Sequence, residues 1–147
     1  MNKPELIQSL LCLSSNLRNA SRVVTQFYSD TMEESGLLKT QFTVLAAIGM
    51  MEEASVTQLA DTLGIDQTTL TRNISVLVKH GWIETKSSTE DQRIKLVSLT
   101  PDGETALEQA FPLWQQAQQT IVNALGQADT ERLLELLNKV VAIAEQS

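Results

Sequence analysis

A change of hydrophobic period at Gly81 leaves this chain few folds to choose from. Before it, between Val56 and His80, apolar residues recur at helical spacing in two short segments separated by Gly64-Ile65-Asp66. After it, Trp82-Ile83-Glu84-Thr85-Lys86 and Ile94-Lys95-Leu96-Val97-Ser98-Leu99 read as strands. The polar run between them, Ser87 to Arg93, is too long for a tight hairpin and predicts a projecting loop. Two short helices joined by a tight turn and followed by a β-ribbon predict a winged helix-turn-helix.

Local signals fix the ends of these helices. Ser55 stands three residues before Gln58, a capping box that predicts a helix from Val56 to Leu63, with Gly64 as its stop. Asp66 caps the next helix, and Gly81 closes it, so a recognition helix is expected over 66–80. Leu59, Ala60 and Leu63 on the first helix face Leu70, Ile74, Leu77 and Val78 on the second.

The other side of that second helix carries the chemistry. Thr68, Arg72, Ser75 and Lys79 form one polar stripe, and Gln67, Thr69 and Thr71 lie near the helix start, where base edges are usually met. Hydroxyl, amide and guanidinium groups suit base edges and the phosphates beside them. A helix exposed only to water has no need of so many middling helix formers. Asn73 has two readings, a base contact or a local helix-surface residue. Lys79 and Lys86 read as phosphate contacts without sequence preference.

Elsewhere the pattern is helical. Leu6, Leu10, Leu13, Leu17, Ala20, Val24 and Phe27 step by four and three, which predicts one long N-terminal helix from Pro4 to about Glu34, with Gly36 as its stop. A second helix is expected from about Thr40 to Met51, with Phe42, Leu45, Ala46 and Ile48 inward and Met50 and Met51 as core filler. Thr100-Pro101 starts a helix running to about Leu125, and Pro112 inside it should remove one hydrogen bond and kink the axis. Leu133, Leu137, Val140 and Ala144 define a last amphipathic helix. His80 reads as a helix-end residue, where partial positive charge is favoured.

Net charge is −7, which taken whole argues against nucleic acid. Its distribution reverses that argument. Residues 101–147 carry only Arg132 and Lys139 against seven acids, whereas between 68 and 96 five cations outnumber Glu84, Glu90 and Asp91. The composition leaves little for catalysis. One histidine and one cysteine supply neither a metal cluster nor an internal disulfide, and no Ser/His/Asp set or phosphate-binding glycine loop occurs. Neither a signal peptide nor an apolar run of about 18 residues is present, so no membrane association is expected, and the cytoplasm is the expected location. No enzyme activity, cofactor or metal is expected.

Several motifs then agree in order and spacing with one family. Asp91-x-Arg93 followed by Leu99-Thr100-x-x-Gly103 resembles the wing signature of the multiple-antibiotic-resistance regulator (MarR) family. Gly36-Leu37 to Gln41-Phe42-x-x-Leu45 resembles its second helix. Gln58-Leu59-Ala60 and Asp66-Gln67-Thr68-Thr69-Leu70-Thr71-Arg72-Asn73 match its paired DNA-binding helices. The similarity covers essentially the whole chain.

The resemblance implies a mainly α fold of about six helices with a two- to three-stranded wing sheet. Residues 1–36 and 101–147 would form a helical dimerisation platform, and 37–100 the winged DNA-binding domain. It implies a homodimeric repressor of a pseudo-palindromic operator in double-stranded DNA, relieved by a small aromatic or lipophilic effector or by thiol oxidation. The alternative is a winged-helix module that binds protein instead. The wing would bring Arg93 to the minor groove, held by Asp91, with Lys86, Ser88 and Lys95 as further contacts. An effector pocket between dimerisation helices and winged domain would draw on Leu13, Leu17, Phe27, Phe42, Leu45 and Trp114. Cys12 has two readings, a redox sensor on the first helix or a small buried residue of its seam. Leu38 stands where the family often has a helix-capping threonine, and Thr40 is expected to take over, starting the helix half a turn later.

Overall fold

The computed structural model describes residues 2–147. Its elements run α1 (Lys3–Leu10), α2 (Leu13–Thr31), a 3-10 turn (Glu33–Ser35), α3 (Lys39–Met51), β1 (Glu53–Ser55), α4 (Val56–Leu63), α5 (Gln67–Lys79), β2 (Ile83–Ser87), β3 (Lys95–Leu99), α6 (Pro101–Leu125) and α7 (Gln127–Glu145). The winged helix-turn-helix is therefore present, mainly helical as expected. Among the described residues, no helix is long and apolar enough to cross a membrane.

One core holds the winged part together. Leu45 and Ile48 of α3, Leu59 of α4, Leu70 and Leu77 of α5, and Val97 of β3 are fully buried against one another. Burying a side chain of this size contributes roughly 2 kcal/mol, so the set fixes how α5 lies on α3 and α4. The turn between α4 and α5 depends on Gly64, whose φ of +64° lets its amide and that of Ile65 close onto Asp61 and Ala60. Ser55 and Gln58 make the reciprocal capping pair at 2.9 and 3.1 Å. Asp66 accepts from the Thr69 amide at 2.8 Å, starting α5 as the sequence requires.

The sheet is antiparallel, ordered β1-β3-β2, with Val97 paired to Ala54 on one side and to Thr85 on the other. β1 is the strand that periodicity missed, because three residues are too few to show alternation. It is reached through Glu52, whose φ of +62° and ψ of −53° place a non-glycine residue in a strained turn. Glu52→Gly is expected to raise unfolding stability by about 1 kcal/mol, read in a urea titration. No gain, or a loss, would mean that the turn is held without strain.

Other expectations need correction. The N-terminal seam is not one helix. It breaks at Leu11 and Cys12, and Asn2 and Glu5 cap the first piece separately. Of the two roles open to its apolar residues, packing in the core or against a second subunit, α1 does not fill the first: it buries none, and Leu10 and Leu11 are each 74% exposed. Periodicity reports a face that wants cover, not the chain that supplies it. Thr40 does not start α3. Leu38 does, its amide donating to Gln41 Oε1 at 2.9 Å, so the helix start keeps the glutamine half of a capping box without a side-chain cap at Leu38. Met50 is 73% exposed and fills no core, whereas Met51 packs partly against it. Val78, expected inward, is exposed in the last turn of α5. α6, by contrast, runs through Pro112 to Leu125 as expected.

The junction between β2, β3 and α6 is tight. Thr100 caps α6 by accepting from the Gly103 amide at 3.1 Å, and its hydroxyl donates to the Gly81 carbonyl at 2.5 Å. The Thr100 amide donates to the Trp82 carbonyl at 3.0 Å. Gly103 is buried there, and a Cβ on it would stand 1.9 Å from that same carbonyl oxygen.

Candidate nucleic-acid interface

With Leu70, Ile74 and Leu77 turned inward, α5 presents Thr68, Arg72, Ser75 and Lys79 to solvent. Several of its hydroxyls spend their protons on the helix itself. Thr71 donates to the Gln67 carbonyl at 2.7 Å, Ser75 to the Thr71 carbonyl at 3.0 Å, and Thr69 to Asp66 Oδ2 at 2.8 Å. Their lone pairs face outward, so the face offers acceptors around one guanidinium, that of Arg72. Such a surface is matched by exocyclic amino groups of bases and by phosphate together. Gln67, at the start, reaches Thr57 of α4 at 3.4 Å. Asp66 sits at the positive end of the helix, and its bond from the Thr69 amide holds its carboxyl below the usual range.

Asn73 does not join this stripe. It is half-buried and lines a cleft with Lys39 and Thr43, on the flank that faces α3. Val76 and Val78 are exposed near the outer face and could meet thymine methyl groups.

The wing loop is ordered from within. Ser88 donates its amide to the Ile94 carbonyl at 2.8 Å, and its hydroxyl accepts from the Glu90 amide at 3.2 Å. Asp91 accepts three bonds from Arg93: from the amide at 3.0 Å, and from Nε and Nη2 at 3.1 Å each. This bidentate grip pulls the Asp91 carboxyl below its usual range, because the charged form carries all three bonds. Arg93 is held at its base while its side chain remains 90% exposed. A guanidinium aimed outward at fixed geometry loses little freedom on binding. Lys95 is exposed at the start of β3. Lys86 differs from the expectation of a free cation, for it pairs with Glu53 of β1 at 2.6 Å. Ser88 likewise serves the turn rather than standing free.

Across the comparisons, a family model described as MarR family matches residues 35–94. The DNA complex of the Mycobacterium tuberculosis regulator MosR is 32% identical, with a TM-score of 0.84 over 92% of this chain and 97% of that one. The chain belongs to the MarR family. A mutant of Escherichia coli MarR complexed with operator DNA is 26% identical, with a TM-score of 0.81 over 95% of this chain and 99% of the other. The organic hydroperoxide resistance regulator of Bacillus subtilis is 30% identical over 107 residues, 73% of this chain and 71% of that protein. MarR-family proteins are DNA-binding transcriptional regulators, not enzymes.

The residues expected to form one effector pocket are dispersed in this MarR-family chain. Phe42 and Trp114 stack at 5.6 Å and line a cleft of about 470 Å³ between α3 and α6. Leu17 lines a separate apolar groove of about 460 Å³ formed by α2, α6 and α7. Leu45 is core, Leu13 is exposed, and Phe27 packs edge-on against Tyr28. A stripe on α2 cannot reveal which neighbour each residue meets, hence the error. Cys12 is not buried in a seam. It is exposed at the N-cap of α2, where the amides of Ser15 and Ser14 hold its thiol below the ordinary range.

Three residues carry local chemistry that sequence reading missed. Lys39 is half-buried, its Nζ donates to Thr43 at 2.7 Å, and burial pulls its pKa down. It also lines a cleft of about 350 Å³ with Tyr28 and Trp114. Burial likewise pushes up the Tyr28 phenol, which donates to Gln118. His80 does sit at the end of α5, yet its ring stacks on Trp82 at 4.4 Å, bracing the start of the wing. Only the adjacency of two rings around Gly81 hinted at that.

Proposed function

We propose that this MarR-family regulator acts in the cytoplasm as a homodimeric repressor of a pseudo-palindromic operator. The observation carrying this reading is the outward Thr68-Arg72-Ser75-Lys79 face of α5 beside a wing whose Arg93 is gripped by Asp91. α5 enters the major groove, and Arg93 reaches the minor groove alongside. The reader is 37–100; residues 1–36 and 101–147 form the platform. Support for a dimer comes from apolar side chains left exposed on the terminal helices, among them Leu6, Ile7, Leu10, Leu134 and Ile143. Exposed apolar surface of that extent is unusual on a monomer. Two subunits joined rigidly bring paired α5 helices onto successive major grooves about 34 Å apart.

Release is by a small aromatic or lipophilic molecule, with oxidation of the exposed Cys12 as a second route favoured by its lowered thiol pKa. The test is a mobility-shift titration against sequences selected from random DNA. Affinity should fall roughly tenfold or more between 50 and 200 mM salt, and the selected sites should be two-fold symmetric. Salt-insensitive binding, or no enrichment of any sequence, would favour the protein-binding module. Peroxide should weaken DNA binding by the parent chain and spare Cys12→Ser if the thiol is a release route; equal response of the two removes it.

A further inference from the structure

We propose that the cleft between α3 and α6 takes a lipophilic organic cation, an aryl-bearing ammonium or phosphonium, as the regulator's effector. The inference deepens the effector reading above and rests on it.

The cleft's volume, about 470 Å³, suits a small drug-sized molecule. Its wall is aromatic. Trp114 is part of that wall, stacked on Phe42 at 5.6 Å and tilted by 32° against Phe111 at the same distance. An indole face is the most favourable aromatic surface for a cation. Met50, 73% exposed at the edge, adds a flexible and polarisable thioether.

The rim gives the sign. Glu104 and Glu108 lie four residues apart on α6, hence on one face one turn apart, and both line the cleft. Among the described residues, neither takes part in an ion pair, and no lysine, arginine or histidine lines the cleft. Glu104 has a local reason to be acidic, since the first turn of a helix favours carboxylates. Glu108 lies beyond that turn and has none. Pro112 supplies no N–H, so the carbonyl of Glu108 also lacks its usual helical donor. An anion placed here would meet two unpaired carboxylates, whereas a cation would gain from both and from the rings.

Binding at this place would also be felt by the reader. Leu99, the last residue of β3, and Gly49 of α3 share the lining with α6, so an occupant touches the winged part and the platform helix together.

Tetraphenylphosphonium and tetraphenylborate have the same shape and opposite charge, and titrating each into the full chain by calorimetry tests the sign directly. The phosphonium should bind at least about tenfold more tightly than the borate. The double variant Glu104→Gln/Glu108→Gln should weaken phosphonium binding roughly tenfold and erase the preference. Both side chains are exposed, so an unchanged melting temperature certifies the variant's fold. Equal binding of the two ions, or phosphonium binding unaltered in the double variant, overturns the proposal. A mobility-shift arm with saturating phosphonium should show DNA release; retained DNA at proven saturation overturns the effector role. Failure to bind any DNA without the ion would sink the repressor reading instead, and the calorimetry would still decide the cation site.

Discussion

Replacing Gly103 by alanine is expected to cost about 3 kcal/mol or more of stability, although the position lies in the first turn of a helix. Helix propensity alone points the other way, favouring alanine by about 1 kcal/mol. The steric term decides the sign. A Cβ at this position would lie 1.9 Å from the Trp82 carbonyl oxygen and 2.8 Å from its carbon, and both are backbone atoms. That carbonyl is also the acceptor for the Thr100 amide, so retreat would break the bond that seats α6 on the wing. Gly49 supplies the control, being a helical glycine whose added Cβ would meet only the side-chain ends of Leu107 and Leu99, each at 3.3 Å. Gly49→Ala should be near neutral, because those side chains can give way. Urea unfolding of the two variants beside the parent makes the comparison, and equal effects would remove the steric explanation. With total stabilities of about 5–15 kcal/mol for domains of this size, Gly103→Ala is expected to melt at a visibly lower temperature and to express poorly.

Operator binding should suffer most from Arg72→Ala combined with Arg93→Ala. Losing one base-contacting arginine typically costs about 1–3 kcal/mol, and every substitution in a homodimer is made twice. The paired variant should therefore bind at least about a thousandfold less tightly, with a shallower dependence on salt. Asp91→Ala is the informative companion, because two effects oppose one another there. Removing a carboxylate beside phosphates favours binding to any DNA. It also frees the Arg93 guanidinium from the two side-chain bonds that aim it. The expected outcome is a lower ratio of specific to nonspecific affinity, with nonspecific affinity slightly raised. Mobility shifts against operator and scrambled DNA measure that ratio. A parent-like ratio would show that the Asp91 grip does not orient Arg93.

Most of the reading head was legible in the chain, because its determinants are local. Capping pairs such as Ser55 with Gln58, the Asp66 cap and the stop at Gly64 are written within a few residues of where they act. The change of period at Gly81 is equally local. The pair Asp91 and Arg93 are two residues apart, so their contact required no knowledge of the fold. What stayed hidden depends on residues distant in sequence. β1 is defined only by its partner β3. Lys86 lost its freedom to Glu53, which lies on that same unforeseen strand. The seam of α1 and α2 left its partner open, because apolar spacing is the same whether the cover comes from within the chain or from outside it. Among the residues expected to line an effector pocket, Phe42 and Trp114 stack though far apart in sequence, whereas Leu13 and Leu45 have opposite environments despite similar patterns.

The order β1-β3-β2 ties the two DNA-facing parts to one central strand. β1 leads directly into α4 and its turn to α5, while β2 emerges from the end of α5 and carries the wing tip. Both hang from β3, so helix and wing form a closed loop of chain whose internal geometry is over-determined. The effector signal proposed above, arriving through α6 at Leu99, would swing this unit as a whole rather than bend it. In the homodimer proposed above, control by such a signal would belong to the distance between two stiff heads, while the alphabet that each one reads would stay unchanged.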